Sequence, residues 1–164
     1  MKKLSLLFIS ILLFSCQNKT VQKERMIGFH PNKAAQDLGW HLGTQAAIDV
    51  VIALDKAWAA NDYASMKEMF VDTLSITVPE GKVFRNFEDF QAYEQAQGEA
   101  SWEFLYAYSV DINPAIGGEH VQAGFSINST DEQGQPVKKQ YHESYYVVNG
   151  KIVSLNQYGQ RVLE

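Results

Sequence analysis

The segment YHESYYVVNGKIVSLNQY, Tyr141 to Tyr158, gathers one glutamate, four tyrosines, a histidine and an asparagine around a single Asn-Gly pair. A carboxylate drawn out of water beside phenols suits proton transfer, because burial raises its pKa towards neutrality. Glu143 is the acid of this group, and the tyrosines supply hydroxyl donors. Asn156 cannot take up a proton at neutral pH and can only orient a ligand or a neighbour. The commoner outcome for such a cluster is a hydrogen-bonded patch on a sheet without chemistry, since perturbed carboxylates are often structural.

Pairing decides which of these side chains meet. Asn149-Gly150 between two strand-like runs predicts a type I′ turn, which needs positive φ at both positions. A two-residue loop pairs Val148 with Lys151 and, counting outward, Val147 with Ile152, Tyr145 with Ser154 and Glu143 with Asn156. Alternation then puts Tyr141, Glu143, Tyr145, Val147, Ile152, Ser154, Asn156 and Tyr158 on one face. The other face carries His142, Ser144, Tyr146, Val148, Val153, Leu155 and Gln157. Its apolar members, Tyr146, Val148, Val153 and Leu155, form a patch that a second copy could cover.

The elements that must hold this hairpin lie upstream. Thr44 is suited to cap a helix in which Ala47, Val51, Leu54 and Trp58 recur at three- and four-residue steps. Asp62 can cap a second short helix, Tyr63 to Phe70, followed by a strand through Leu74, Ile76 and Val78 that Pro79-Glu80-Gly81 stops. A third helix is expected over Asn86 to Gln97. The period then becomes two, with Trp102, Phe104, Tyr106, Tyr108 and Val110 predicted on one face. Val121, Ala123, Phe125 and Ile127 alternate again before a turn from Asp131 to Pro136. Helices followed by antiparallel strands predict an α+β domain over residues 44–164, its helices packed on one face of a curved sheet.

The runs LDKAWAANDYASMKEMFVD, ITVPEG and YHESYYVVNGKIVSLNQY occur in that order between Thr44 and Gln160. Together they resemble a SnoaL-like domain of the nuclear transport factor 2-like superfamily. The resemblance implies a cone in which helices close a curved sheet around an apolar pocket, and dimerisation through the outer sheet face. It turns Ile152, the isoleucine of GKI, into the cone, and with it Glu143, Asn156, Ser154, Tyr141, Tyr145 and Tyr158. Trp102 and Tyr106 would form another wall, and Asp72 lies where some relatives place a polar pocket residue. Superfamily members include polyketide cyclases, ketosteroid isomerases, dehydratases and proteins that only bind or assemble. Cyclases often carry an acid on the last strand where Asn156 stands, which moves the expectation towards binding.

The chain begins with Lys2 and Lys3, an apolar run from Leu4 to Phe14, then Ser15-Cys16, the pattern of a secretory leader. Eleven apolar residues fall short of the roughly 20 that span a bilayer. Leu13-Phe14-Ser15-Cys16 resembles a bacterial lipobox, which implies removal of residues 1–15 and lipidation of Cys16. Residues 16–43 would be a lipidated tether and N-terminal extension. A neutral Gln17 after the cysteine fits sorting to the periplasmic side of an outer membrane. Cys16 is the sole cysteine, so no internal disulfide can form.

Removing residues 1–15 takes away two lysines and no acid, which moves the formal charge from −5 to −7. An acidic chain without a basic cluster is not built for nucleic acid. His30, His41 and His120 are scattered, and His142-Glu143 lacks the spacing of a zinc motif, so no metal is expected. No phosphate loop, dinucleotide fingerprint or nucleophile elbow is present, and no cofactor is implied. The reading is a lipid-anchored envelope protein whose cone binds a small, partly apolar ligand. Its alternatives are an isomerase, dehydratase or hydrolase using Glu143 as general base, and an assembly subunit without a pocket.

Overall fold

The computed structural model describes residues 26–31, 38–98, 100–115, 117–131 and 133–162. The leader, Cys16 and the polar tether therefore lie outside the described residues. The N-terminal extension forms one bridge, Ile27 with Trp40, and a short edge strand β1 (His41–Leu42).

Three helices begin at side-chain caps, two of which, Thr44 and Asp62, are expected from the sequence. Helix α1 (Gln45–Ala59) starts at Thr44, whose hydroxyl accepts from the Ala47 N–H at 3.3 Å. The same hydroxyl donates to Glu119 Oε1 at 2.7 Å, and Ser109 donates to Glu119 Oε2 at 2.7 Å. The helix start is thereby tied to the sheet. Burial pushes the Glu119 carboxyl up, but its bonds from the Thr44 N–H, Ser109 and the Thr44 hydroxyl hold it below the usual range. Helix α2 (Tyr63–Met69) is capped by Asp62, and α3 (Phe87–Gln95) by Asn86, which accepts from the Asp89 N–H at 2.8 Å.

Strands β2 (Phe70–Thr77), β3 (Val83–Phe84), β4 (Ser101–Asp111), β5 (Glu119–Thr130), β6 (Pro136–Val148) and β7 (Lys151–Arg161) complete one sheet. The order is β1-β4-β5-β6-β7-β2-β3, antiparallel except where β2 runs parallel to β7. The sheet is curled but not closed, and the helices pack on its concave side, a cone-like α+β fold. Val51 and Leu54 of α1, Met66 of α2 and Phe90 of α3 meet Ile76, Val121, Ile152 and Leu155 of the sheet, all fully buried. Each such side chain contributes about 1.5–3 kcal/mol by leaving water.

The hairpin turn is as the sequence predicts, with φ of 50° at Asn149 and 74° at Gly150. Val148 pairs with Lys151 and Val147 with Ile152. The register then shifts: Tyr146 pairs with Ser154, so Val153 is an extra residue on β7. Beyond this bulge Tyr145 faces Leu155, Ser144 faces Asn156 and Glu143 faces Gln157. A second bulge interrupts β4, where Phe104 pairs with Phe125 but Tyr106 pairs with Gly124, leaving Leu105 extra. Side-chain direction has period two, so one extra residue sends everything beyond it to the opposite face.

The expected faces are corrected accordingly. Leu155, expected outside, is fully buried, and Gln157 is 8% exposed. Ser154, Asn156 and Tyr158 belong to the outer face, with Tyr158 62% exposed. Tyr106 and Tyr108 also turn outward from β4, whereas Trp102 and Phe104 stay inside, Phe104 stacked on Phe125 at 4.8 Å.

Candidate functional site

Between α1, α3 and the concave face of β4–β7 lies a cleft of about 810 Å³. That volume suits a small organic molecule, since such pockets run to roughly 300–1,000 Å³. Its aromatic walls include Trp58, Tyr93, Trp102 and Tyr141, and its carboxylates are Asp55, Glu80, Glu94 and Glu143. Lys139 is the only cationic side chain among the described lining residues.

Glu143 occupies the floor and is 6% exposed. Its Oε1 accepts from Gln157 Nε2 at 2.7 Å, and its Oε2 accepts from the Tyr145 hydroxyl. Burial pushes its pKa up, the bonds from Tyr145 and Gln157 act against that, and the charge of Asp55 adds to the rise. Tyr145, 2% exposed, is held protonated first by burial and then by the Glu143 charge and hydrogen bond. Each oxygen of Glu143 thus accepts one bond, and neither donor carries a positive charge.

Glu94 is a different kind of carboxylate. It projects from α3, accepts a single bond from Trp58 Nε1 at 3.2 Å, and borders the open cleft. Burial raises its pKa to about 7, the Trp58 bond works against that, and the charges of Glu143 and Glu80 add to it. A carboxyl half-protonated at neutral pH can donate or accept a proton there. Opposite it, Trp102 Nε1 donates to Asp55 Oδ1 at 2.8 Å. The Tyr93 hydroxyl donates to Glu80 at 3.0 Å, and burial followed by that bond raises the Tyr93 pKa. Tyr141 is raised by burial first, then by Glu80, Glu143 and Glu94.

Of the residues expected at the site, Glu143, Tyr141, Tyr145 and Trp102 come together on the cleft. Ser154, Asn156, Tyr158 and Tyr106 do not border it, because the two bulges turn them to the other side. Asp72 is exposed on β2 and is also absent from the lining. Gln157 takes the place expected of Asn156.

Sequence reasoning passed over Asp55, Trp58, Glu80, Tyr93, Glu94 and Gln157. A signal existed for two of them. Asp55 stands between Val51 and Trp58, and Glu94 follows Phe87 and Phe90, at the three- and four-residue steps of a buried helix face. An acid within an apolar stripe faces the interior and therefore needs a partner or a cavity.

The residues turned outward meet on the convex side. Tyr106 lies across Gly124, where a side chain would collide with its ring. His142 Nε2 is 2.9 Å from Gln122 Oε1, its Nδ1 is 3.4 Å from the Tyr106 hydroxyl, and Gln122 donates to Ser144 at 2.9 Å. With Gln122 Oε1 accepting at Nε2, the proton of neutral His142 sits there and Nδ1 is free to accept from Tyr106.

No protein-family model matches the sequence, and no curated protein matches it. Solved structures do match, and they carry the nuclear transport factor 2-like fold. The association domain of CaMKII from C. elegans is 16% identical with a TM-score of 0.55, covering 70% of this chain and 93% of that one. A candidate ketosteroid isomerase from Kribbella flavida is 9% identical with a TM-score of 0.60, covering 74% and 82%. A nuclear transport factor 2-like protein of unknown function from Burkholderia pseudomallei is 11% identical with a TM-score of 0.58, covering 71% and 92%. At these identities the likeness is one of fold. The chain is a pocket-bearing member of that architecture.

Proposed function

We propose that the chain is a lipid-anchored envelope protein, attached through Cys16, whose cone binds a small, partly apolar molecule without converting it. The observation that carries this reading is the cleft of about 810 Å³, walled by aromatic rings, whose floor carboxylate has both oxygens already hydrogen-bonded. A general base must present a free lone pair to the proton it takes. Each oxygen of Glu143 keeps a second lone pair, but the carboxyl is only 6% exposed on the floor, which favours shaping the floor over meeting a substrate proton. The cone is open rather than plugged by a bulky side chain, which weighs against a purely assembling role.

One observation favours the catalytic alternative, and it moves the acid from Glu143 to Glu94. That group has one hydrogen bond, borders the cleft and titrates near 7. The solved neighbours include both an association domain and a candidate isomerase, so the fold does not choose between binding and chemistry. Native mass spectrometry of the protein purified from its own membrane tests the reading. A retained small molecule, recovered unchanged after incubation, supports binding. A molecule consumed by the protein and spared by Glu94→Gln replaces it with the enzyme.

Pairing of two copies through the outer sheet face belongs to the same proposal. Its support is the exposed tyrosines there, Tyr106, Tyr108 and Tyr158. Monomers seldom leave a large aromatic patch in water.

A further inference from the structure

The charge inside the cleft is one-sided. Asp55, Glu80, Glu94 and Glu143 border one space and Lys139 alone opposes them among the described residues. The hydrogen bonds given to these acids come from neutral groups: Trp102 to Asp55, Tyr93 to Glu80, Trp58 to Glu94, and Tyr145 and Gln157 to Glu143. A neutral donor satisfies an oxygen but leaves the charge uncompensated. Lys82, the nearby cation, lies over the rings of Phe84 and Tyr93 and does not line the cleft.

The spacing of the acids bears on what could compensate them. Among the described residues no three acids or histidines converge closely enough to hold a metal ion. The negative charge is distributed around the walls, over a volume far larger than one ion. Between the acids stand indole and phenol rings, whose faces attract a cation. The indole N–H groups of Trp58 and Trp102 are committed to carboxylates, which leaves their rings electron-rich.

We propose that the cleft selects an organic ammonium ion with an apolar body over neutral or anionic molecules of the same shape. The inference rests on the reading of the cone as a ligand pocket and names the class of ligand. The ammonium group sits among Asp55, Glu94 and the indole faces, and the apolar body lies along the aromatic wall towards Tyr141. A carboxylate-bearing ligand would add negative charge to a space lined by four acids and one lysine, which repulsion opposes.

The test uses the full-length protein in nonionic detergent, with quenching of tryptophan fluorescence as readout. Three molecules with one ring and one chain are titrated: phenethylamine, phenethyl alcohol and phenylacetate. The expected result is that the amine binds at least about tenfold tighter than the alcohol and that phenylacetate is weakest. Glu94→Gln should weaken the amine several-fold more than the alcohol and so bring the two together, and Lys139→Gln should tighten the amine several-fold. Equal affinity for amine and alcohol, or tighter binding of phenylacetate, overturns the cation inference while leaving the pocket standing. Failure of all three to bind at millimolar concentration overturns it as well. In that case a neutral molecule retained in native mass spectrometry shows that the pocket reading itself survives.

Discussion

Gln157 donates its side-chain amide to Glu143 at 2.7 Å across the β6–β7 ladder, and the two are opposite only because Val153 is an extra residue. Replacing Gln157 by Leu should leave one oxygen of a buried carboxylate without its donor. The expected cost is about 1–3 kcal/mol, read as a lower urea midpoint with unchanged slope. Glu143→Gln removes the buried ionisable group instead and should hold or raise stability. A Gln157→Leu protein as stable as the parent would show that the floor network contributes nothing to the fold.

The dependence of stability on pH follows from Glu94. Its carboxyl titrates near 7 in the folded protein and near 4.5 in the unfolded chain, and Glu143 is shifted the same way. Between those values the folded state keeps protons that the unfolded state has released. Stability present below 4.5 is therefore lost as pH rises through 7. The loss should be on the order of 2 kcal/mol, measured by urea unfolding at about pH 5 and about pH 8. Glu94→Gln should flatten that slope and stabilise the protein at the higher pH. Glu119 supplies the opposite limb, since its lowered pKa gives a contribution lost on acidification below the usual carboxylate range.

Position 155 separates the two registers of the hairpin. Leu155 is fully buried, so Leu155→Ala should cost about 2–5 kcal/mol and Leu155→Glu should prevent folding. Tyr158, 62% exposed on the outer face, should tolerate Phe with no change in stability or in ligand binding. Strong loss of ligand binding in Tyr158→Phe would place that hydroxyl at the site after all.

Self-association should depend on the outer tyrosines. Tyr108 is 49% exposed and stacks beside Tyr106. If a second copy covers this face, Tyr108→Glu lowers the mass seen in sedimentation while the circular dichroism spectrum is kept. A clean monomer in the unsubstituted protein at micromolar concentration counts directly against the pairing.

The proposed anchoring is tested at Cys16. Cys16→Ser should move the protein from the membrane fraction to the soluble one, or leave its leader uncleaved. Two or three acyl chains hold firmly because each buried methylene contributes about 0.8 kcal/mol. Unchanged fractionation and unchanged labelling by fatty acid would remove the lipobox reading.

The elements were legible because their signals are local. Thr44 and Asp62 each cap the helix expected of them, the third expected helix is present with Asn86 as its cap, and Asn149-Gly150 makes its turn. Glu143, Tyr141, Tyr145 and Trp102 were placed at the cleft because the family resemblance chose the inward face and no bulge separates them from the residues that set it or interrupts their own alternation. Ser154, Asn156, Tyr158 and Tyr106 were misplaced because each lies beyond a bulge, and neither Val153 nor Leu105 is marked by glycine or proline. A hint was available on β7, where the pattern Ile152, Leu155, Gln157 breaks strict alternation at its first step. Glu94 and Asp55 required three-dimensional assembly, since their perturbing neighbours come from other elements.

The extra residues at Leu105 and Val153 bend their strands as well as inverting them. Deleting either would flatten the sheet, narrow the cavity and at the same stroke exchange the side chains that look into it. The capacity of this cone and the chemical identity of its lining are therefore inherited together. Change by insertion or deletion in β4 or β7 would produce a different pocket, whereas change by substitution can only retune the present one.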